Sequence, residues 1–248
     1  MMEPRRLSTI PLYKLVPNMI TILALCLGLT SVRYAMDGKF VTAATLILVA
    51  ALMDSVDGRM ARLLNCASSF GAQLDSLADI VSFGVSPCLL MYMWSLHSVP
   101  YKGVGWAVVL IYIACSALRL ARFNVQQEED VESEVSKHFF TGMPIPAAAA
   151  MTLMPMLMTF ELTTWVMPSW AVCIYMTFIG MMMVSTIPTF SMKKISVDRK
   201  YVRWLLLLAG SLIAGILLEP WVTLPLVGLV YCVSIPFSIL RHRRMLGN

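Results

Sequence analysis

Apolar residues run in blocks of about twenty positions, broken by short polar connections, along nearly the whole chain. The blocks fall at about 16–36, 39–60, 76–96, 103–121, 144–163, 170–190, 202–218 and 220–240. A helix rises 1.5 Å per residue, so ~20 apolar residues cross the hydrocarbon core of a bilayer. The pattern therefore predicts an all-α, polytopic transmembrane helical bundle of about eight spans. Only Glu219 and Pro220 part the last two blocks, which predicts a tight hairpin there. Residues 3–14 are short, mixed and basic, and are expected to lie along the interface rather than cross it. Residues 1–15 then form an interfacial N-terminal segment and 16–240 the transmembrane bundle, within one integral-membrane domain, 1–248.

Cation placement orients the bundle. With the N-terminus inside, sixteen of the nineteen Lys and Arg fall on inner flanks, and only Arg33, Lys39 and Lys102 on outer ones. The positive-inside rule then places both termini in the cytoplasm, in a cytoplasmic (inner) membrane. Composition agrees: 58% of the 248 residues are hydrophobic and 13% charged, against ~45–50% and about 25% in soluble domains. The net charge of +5 comes from juxtamembrane clusters, so no nucleic-acid partner is expected. The six cysteines lack CxxC spacing and read as reduced packing residues. No small-residue cleavage site follows Arg5 and Arg6, so a removable signal peptide is not expected. The inner connections 122–143 and 191–201 are the longest polar ones. Pro144, Pro146 and Pro188 are expected to begin or kink helices.

Four carboxylates sit where the pattern disfavours them. Asp54 and Asp57 (i, i+3) lie at the inner end of the second block, and Asp75 and Asp79 (i, i+4) at the start of the third. Each spacing puts its pair on one helix face. An ionised Asp near a bilayer centre costs ~2.5–3.5 kcal/mol on insertion scales, so four converging acids need a compensating partner. Hard divalent cations, Mg²⁺ or Mn²⁺, suit an all-carboxylate shell, and two ions bridged by shared aspartates would suit phosphoryl chemistry. Gly58, Ala61 and Gly71 keep the space between the acids open, and Arg62 can grip phosphate oxygens. Two other readings of the acids stay open: a buried Asp–Arg network and a cation-coupled transport site.

The run Asp54-x₂-Asp57-Gly58-x₂-Ala61-Arg62-x₈-Gly71-x₃-Asp75-x₃-Asp79 resembles the signature of the CDP-alcohol phosphatidyltransferases at all eight fixed positions. The resemblance implies that the four aspartates hold two divalent ions, with Asp79 also the general base. It implies that Gly58, Arg62 and Ser68 contact the cytidine diphosphate group. Asn18 and Thr21, in Pro17-Asn18-Met19-Ile20-Thr21, resemble the family's Pro-Asn-x-x-Thr opening and would line the same pocket.

Two further stretches, Arg119-Leu120-Ala121-Arg122-Phe123-Asn124 and Gly142-Met143-Pro144-Ile145-Pro146-Ala147-Ala148-Ala149, resemble the phosphatidylserine synthase branch. That resemblance implies CDP-diacylglycerol and L-serine as substrates, Arg119, Arg122 and Asn124 as acceptor contacts, and a homodimer among membrane lipids. Arg119 and Arg122 equally fit a role as interfacial anchors that cap a helix end. Glycerol phosphate or inositol phosphate as acceptor remains the nearest alternative.

Overall fold

The computed structural model describes residues 15–64, 68–128, 139–161, 166–185, 188–190 and 199–230. Among these, apolar helices stand at all eight expected places. They are α1 (Val16–Met36), α2 (Phe40–Leu63), a rod made of α3 (Ser69–Asp79), a π turn (Ile80–Val85) and α4 (Ser86–Trp94), then α5 (Lys102–Glu128), α6 (Ile145–Glu161), α7 (Ser169–Val184), α8 (Arg199–Leu218) and α9 (Pro220–Val230). Four of them, Val16–Met36, Phe40–Leu63, Ser69–Trp94 and Gly103–Gln126, are long and apolar enough to cross a membrane; the others are shorter. The expected interfacial segment and the end of the eighth block lie outside the described residues.

Small residues let the helices close on one another. Ala24 and Ala35 of α1 and Ala43, Ala44 and Ala50 of α2 are buried, so the α1–α2 hairpin packs backbone to backbone. Gly38 turns that hairpin at φ +73°, a conformation glycine adopts without strain. Gly28 of α1 is tighter still, since a Cβ there would stand 2.7 Å from Ser82 Oγ and 2.8 Å from Ser82 Cα in the π turn. The expected hairpin between α8 and α9 is present. A Cβ on Gly215 would stand 2.9 Å from Thr223 Oγ1, whereas eight residues of unbroken helix span ~12 Å.

Three boundaries depart from the apolar blocks, each for a local reason. The third helix begins at Ser69 rather than 76, because Ser68 caps it by accepting a 3.0 Å hydrogen bond from Gly71 N–H. That cap carries the helix through its polar first turns, invisible to hydropathy. The fourth runs to Glu128 rather than 121, so Arg122 and Asn124 belong to a helix and not to the connection expected at 122–143. Pro188 begins no helix. It opens a three-residue strand, β2 (Pro188–Phe190), that pairs antiparallel with β1 (Phe139–Thr141), a small exception to the all-α expectation. Proline is tolerated on such an edge strand.

Gly142, at φ +78°, leaves β1 against the end of α7; a Cβ there would stand 2.7 Å from Met183 O. Met143 N–H donates to Met182 O at 3.3 Å, and Arg122 Nη1 donates to Val184 O at 3.0 Å. The C-terminal carbonyls of α7, which have no partner within their own helix, are thus satisfied from α5 and from the chain entering α6.

Gly28→Ala should lower the thermal unfolding temperature in detergent, by an overpacking cost of ~1–3 kcal/mol, because a backbone atom rather than a flexible tip must yield. Gly210→Ala, whose Cβ would meet nothing within 4 Å, is the control and should unfold no earlier than wild type.

Candidate active site

α3 packs on α1, and a cavity opens between α3 and α2. The cavity, about 160 Å³, is lined from three helices: Pro17, Asn18 and Thr21 of α1, Asp57, Gly58, Ala61 and Arg62 of α2, and Gly71, Ala72 and Asp75 of α3 with its cap Ser68. Asn18, Thr21, Gly58, Ala61, Arg62, Ser68 and Gly71, the residues expected around the CDP-lipid, thus all line this one cavity. Ala72 is the lining residue that the motifs did not single out.

Glycines make this geometry possible. A Cβ on Gly71 would stand 3.0 Å from Asn18 Oδ1 and 3.2 Å from Ser68 Oγ, so a bare Cα is what lets α3 approach α1. Gly58 faces open space, with nothing within 4 Å of its Cβ position. Arg62 Nε donates to Gly58 O at 3.0 Å, which holds the guanidinium along its own helix at the cavity wall. Arg62 thus spends that donor on a backbone carbonyl and not on a carboxylate.

Carboxylate oxygens of Asp54, Asp57 and Asp75 all lie within 4.8 Å of one another. Asp57 is almost fully buried and accepts a 2.5 Å hydrogen bond from Thr21 Oγ1, which fixes its rotamer from α1. Asp54 stands within hydrogen-bonding reach of both Asp75 and Asp79. Two carboxylates at that distance repel unless a proton or a cation lies between them. Asp79, one helical turn beyond Asp75, keeps its Oδ1 buried with no hydrogen-bond partner.

This donor set fits a hard divalent cation. Metal–oxygen bonds of ~2.0–2.6 Å put ligand oxygens no more than ~4–5 Å apart, and the three aspartates offer oxygens within 4.8 Å of one another. The orphaned Oδ1 of Asp79 adds an acceptor that the protein itself leaves unused.

The three residues expected at an acceptor site diverge. Arg119 lies close enough to Asp79 to act on its carboxylate electrostatically, and its guanidinium carbon stands 5.3 Å from the centre of the Phe123 ring. Arg122 reaches away to Val184 O at the end of α7. Asn124 Oδ1 accepts a 3.1 Å hydrogen bond from Ser76 Oγ on α3. Of the three, Arg119 is the one whose charge acts on Asp79. Ser76 escaped sequence reasoning because it occupies an unconstrained position between two signature aspartates.

Comparison with known proteins adds an independent line. The family described as CDP-alcohol phosphatidyltransferase matches residues 14–177, and a second, CDP-alcohol phosphatidyltransferase 2, matches residues 200–236. A Mycobacterium leprae protein named CDP-diacylglycerol–serine O-phosphatidyltransferase is 36% identical over 93% of this chain and 76% of its own length. One of the same name from Mycobacterium tuberculosis is 36% identical over 95% of this chain and 81% of its own length. An archaetidylserine synthase of Methanothermobacter thermautotrophicus is 36% identical over 54% of both chains.

If the aspartates hold a cation, Mn²⁺ should raise the unfolding temperature of the purified protein in detergent. Asp54→Asn and Asp75→Asn should each abolish most of that rise without lowering the metal-free value. An equal rise in the variants would place Mn²⁺ elsewhere.

Proposed function

Because this chain belongs to the CDP-alcohol phosphatidyltransferase family, we propose that it transfers the phosphatidyl group of CDP-diacylglycerol to the hydroxyl of L-serine, giving phosphatidylserine and CMP. The observation that carries this reading is the cavity itself. It joins the expected nucleotide contacts to Asp57 and Asp75 in one space, with Asp54 within 4.8 Å of both.

Asp54, Asp57, Asp75 and Asp79 would hold two divalent cations, Mg²⁺ or Mn²⁺. When bound, these supply positive charge to the pyrophosphate and to the departing CMP. The chain's own residues do the rest. Thr21 holds the Asp57 carboxylate in place, Gly58 leaves room for the diphosphate, and Arg62 and Ser68 offer donors at the cavity wall. The serine oxygen attacks the lipid-side phosphorus, its proton passes to Asp79, and the bond from that phosphorus to the CMP oxygen breaks. Asp79 Oδ1, which no group among the described residues occupies, has lone pairs for both a cation and the incoming proton. Holding both reactants in line supplies much of the acceleration, since an alcohol is a poor nucleophile until oriented. Arg119, whose charge acts on Asp79, would contact the acceptor, while Arg122 and Asn124 would support the helices around it.

The same reading makes the whole chain one integral-membrane domain with eight crossings and both termini in the cytoplasm. The aspartates then open to the cytoplasmic side of the inner membrane, where a water-soluble amino acid and CMP exchange freely. Sixteen inner-flank cations support that orientation. A homodimer is part of the proposal, from resemblance to the family. The transport alternative calls for unwound half-helices at the acids, whereas the rod carrying Asp75 and Asp79 stays helical through Trp94, with a π turn but no unwound residue.

Purified protein with CDP-diacylglycerol and Mn²⁺ or Mg²⁺ should release CMP with L-serine and not with glycerol phosphate or inositol phosphate. Asp79→Asn should lower that rate by roughly 10²–10⁴-fold, the usual worth of a positioned base. Release with a phosphorylated acceptor instead would keep the chemistry and overturn the acceptor.

A further inference from the structure

The rod that bears Asp75 and Asp79 changes its winding directly after Asp79. Residues Ile80–Val85 form a π turn before the α-helical ladder resumes at Ser86. A π turn inserts an extra residue into the i→i−4 ladder, so the face that α3 presents is offset from the face that the deeply buried α4 presents. The turn itself is clamped, by Gly28 of α1 against Ser82 and by Gly84 against Ser116 of α5. The segment Ser69–Asp79, whose buried face is small and whose Phe70 and Leu77 are exposed, needs its own lateral ties.

Two such ties exist. Gly71 lets α3 seat on Asn18 of α1. On the other side, Ser76 Oγ donates to Asn124 Oδ1 of α5 at 3.1 Å, both groups partly buried. Ser76 is adjacent to Asp75 and shares a helix side with Asp79 (i, i+3). Because α3 and α5 run antiparallel, this bond sits just short of the place where Asp79 meets the field of Arg119.

We propose that the Ser76–Asn124 hydrogen bond sets the rotation of α3, and that Asn124 is a positioning residue for Asp75 and Asp79 rather than a contact to the acceptor. The inference deepens the reaction assigned above and rests on it for its kinetic readout alone. An amide whose oxygen already accepts from Ser76 is committed in the direction of α3. An error of about 1 Å in carboxylate placement can cost ~10²-fold in rate, so a single hydrogen bond at this lever matters.

The test compares Ser76→Thr with Ser76→Val, side chains of one shape that differ only in the hydroxyl, together with Asn124→Ala and Ser76→Val/Asn124→Ala, all as the full chain in detergent. Mn²⁺ affinity is read by electron paramagnetic resonance, and CMP release is read against serine concentration. Ser76→Val and Asn124→Ala should each weaken Mn²⁺ binding by ~10-fold, as loss of a supporting contact behind a ligand does. Each should lower kcat with the KM for serine unchanged, the double variant should be no worse than either single one, and Ser76→Thr should match wild type. Unchanged Mn²⁺ affinity in Ser76→Val would overturn the proposal. So would a raised KM for serine in Asn124→Ala alone, which would return Asn124 to the acceptor site. The expected Mn²⁺ pattern in a protein that releases no CMP with serine would leave the positioning role standing and remove the assigned reaction.

Discussion

Mutual repulsion among the aspartates is the constraint on which the rest of this structure depends. Three carboxylates lie within 4.8 Å of one another, and a fourth is in hydrogen-bonding reach of one of them. At an effective dielectric constant of about 20, two unit charges at that separation repel by roughly 3 kcal/mol. Folding alone would drive such a cluster apart. It persists because α1, α2 and the third rod are locked by contacts that do not involve the acids, and because the acids suit a cation that reverses the sign of the interaction.

Those contacts are built from small residues. Alanines seat α1 on α2, Gly28 seats α1 on the π turn, and Gly71 seats α3 on Asn18. In a membrane the hydrophobic effect does not press helices together, so close backbone approach and a few polar bonds set their geometry. The π turn lets one rod serve two masters: α4 buries its length in the bundle, while α3 turns its acids towards α2. Thr21 and Asn124 then hold the aspartates from either side, one bonding Asp57 directly and the other acting through Ser76.

Much of this could be read before any coordinates. Helix positions follow from the apolar blocks, because a bilayer imposes length and composition on every crossing. The gathering of Asn18, Thr21, Gly58, Arg62, Ser68 and Gly71 at one cavity agrees with what the family resemblance implies. What escaped was whatever depends on partners distant in sequence. Arg122 and Asn124 read as a cationic and amide pair open to ligand, yet each bonds a different helix. The polar starts and ends of α3 and α5 lay outside the apolar blocks, since hydropathy reports lipid contact and not hydrogen bonding. The π turn left no trace either, because Ile80–Val85 has the composition of any buried helix.

The four aspartates between α2 and α3 are proposed to hold two divalent cations. Anomalous X-ray scattering at the manganese edge, from crystals of the full chain grown with Mn²⁺, tests it most directly. Two manganese peaks within coordinating distance of Asp54, Asp57, Asp75 and Asp79 are the predicted result. Strong manganese peaks elsewhere, with the four carboxylates instead sharing protons or paired to arginine, would contradict it.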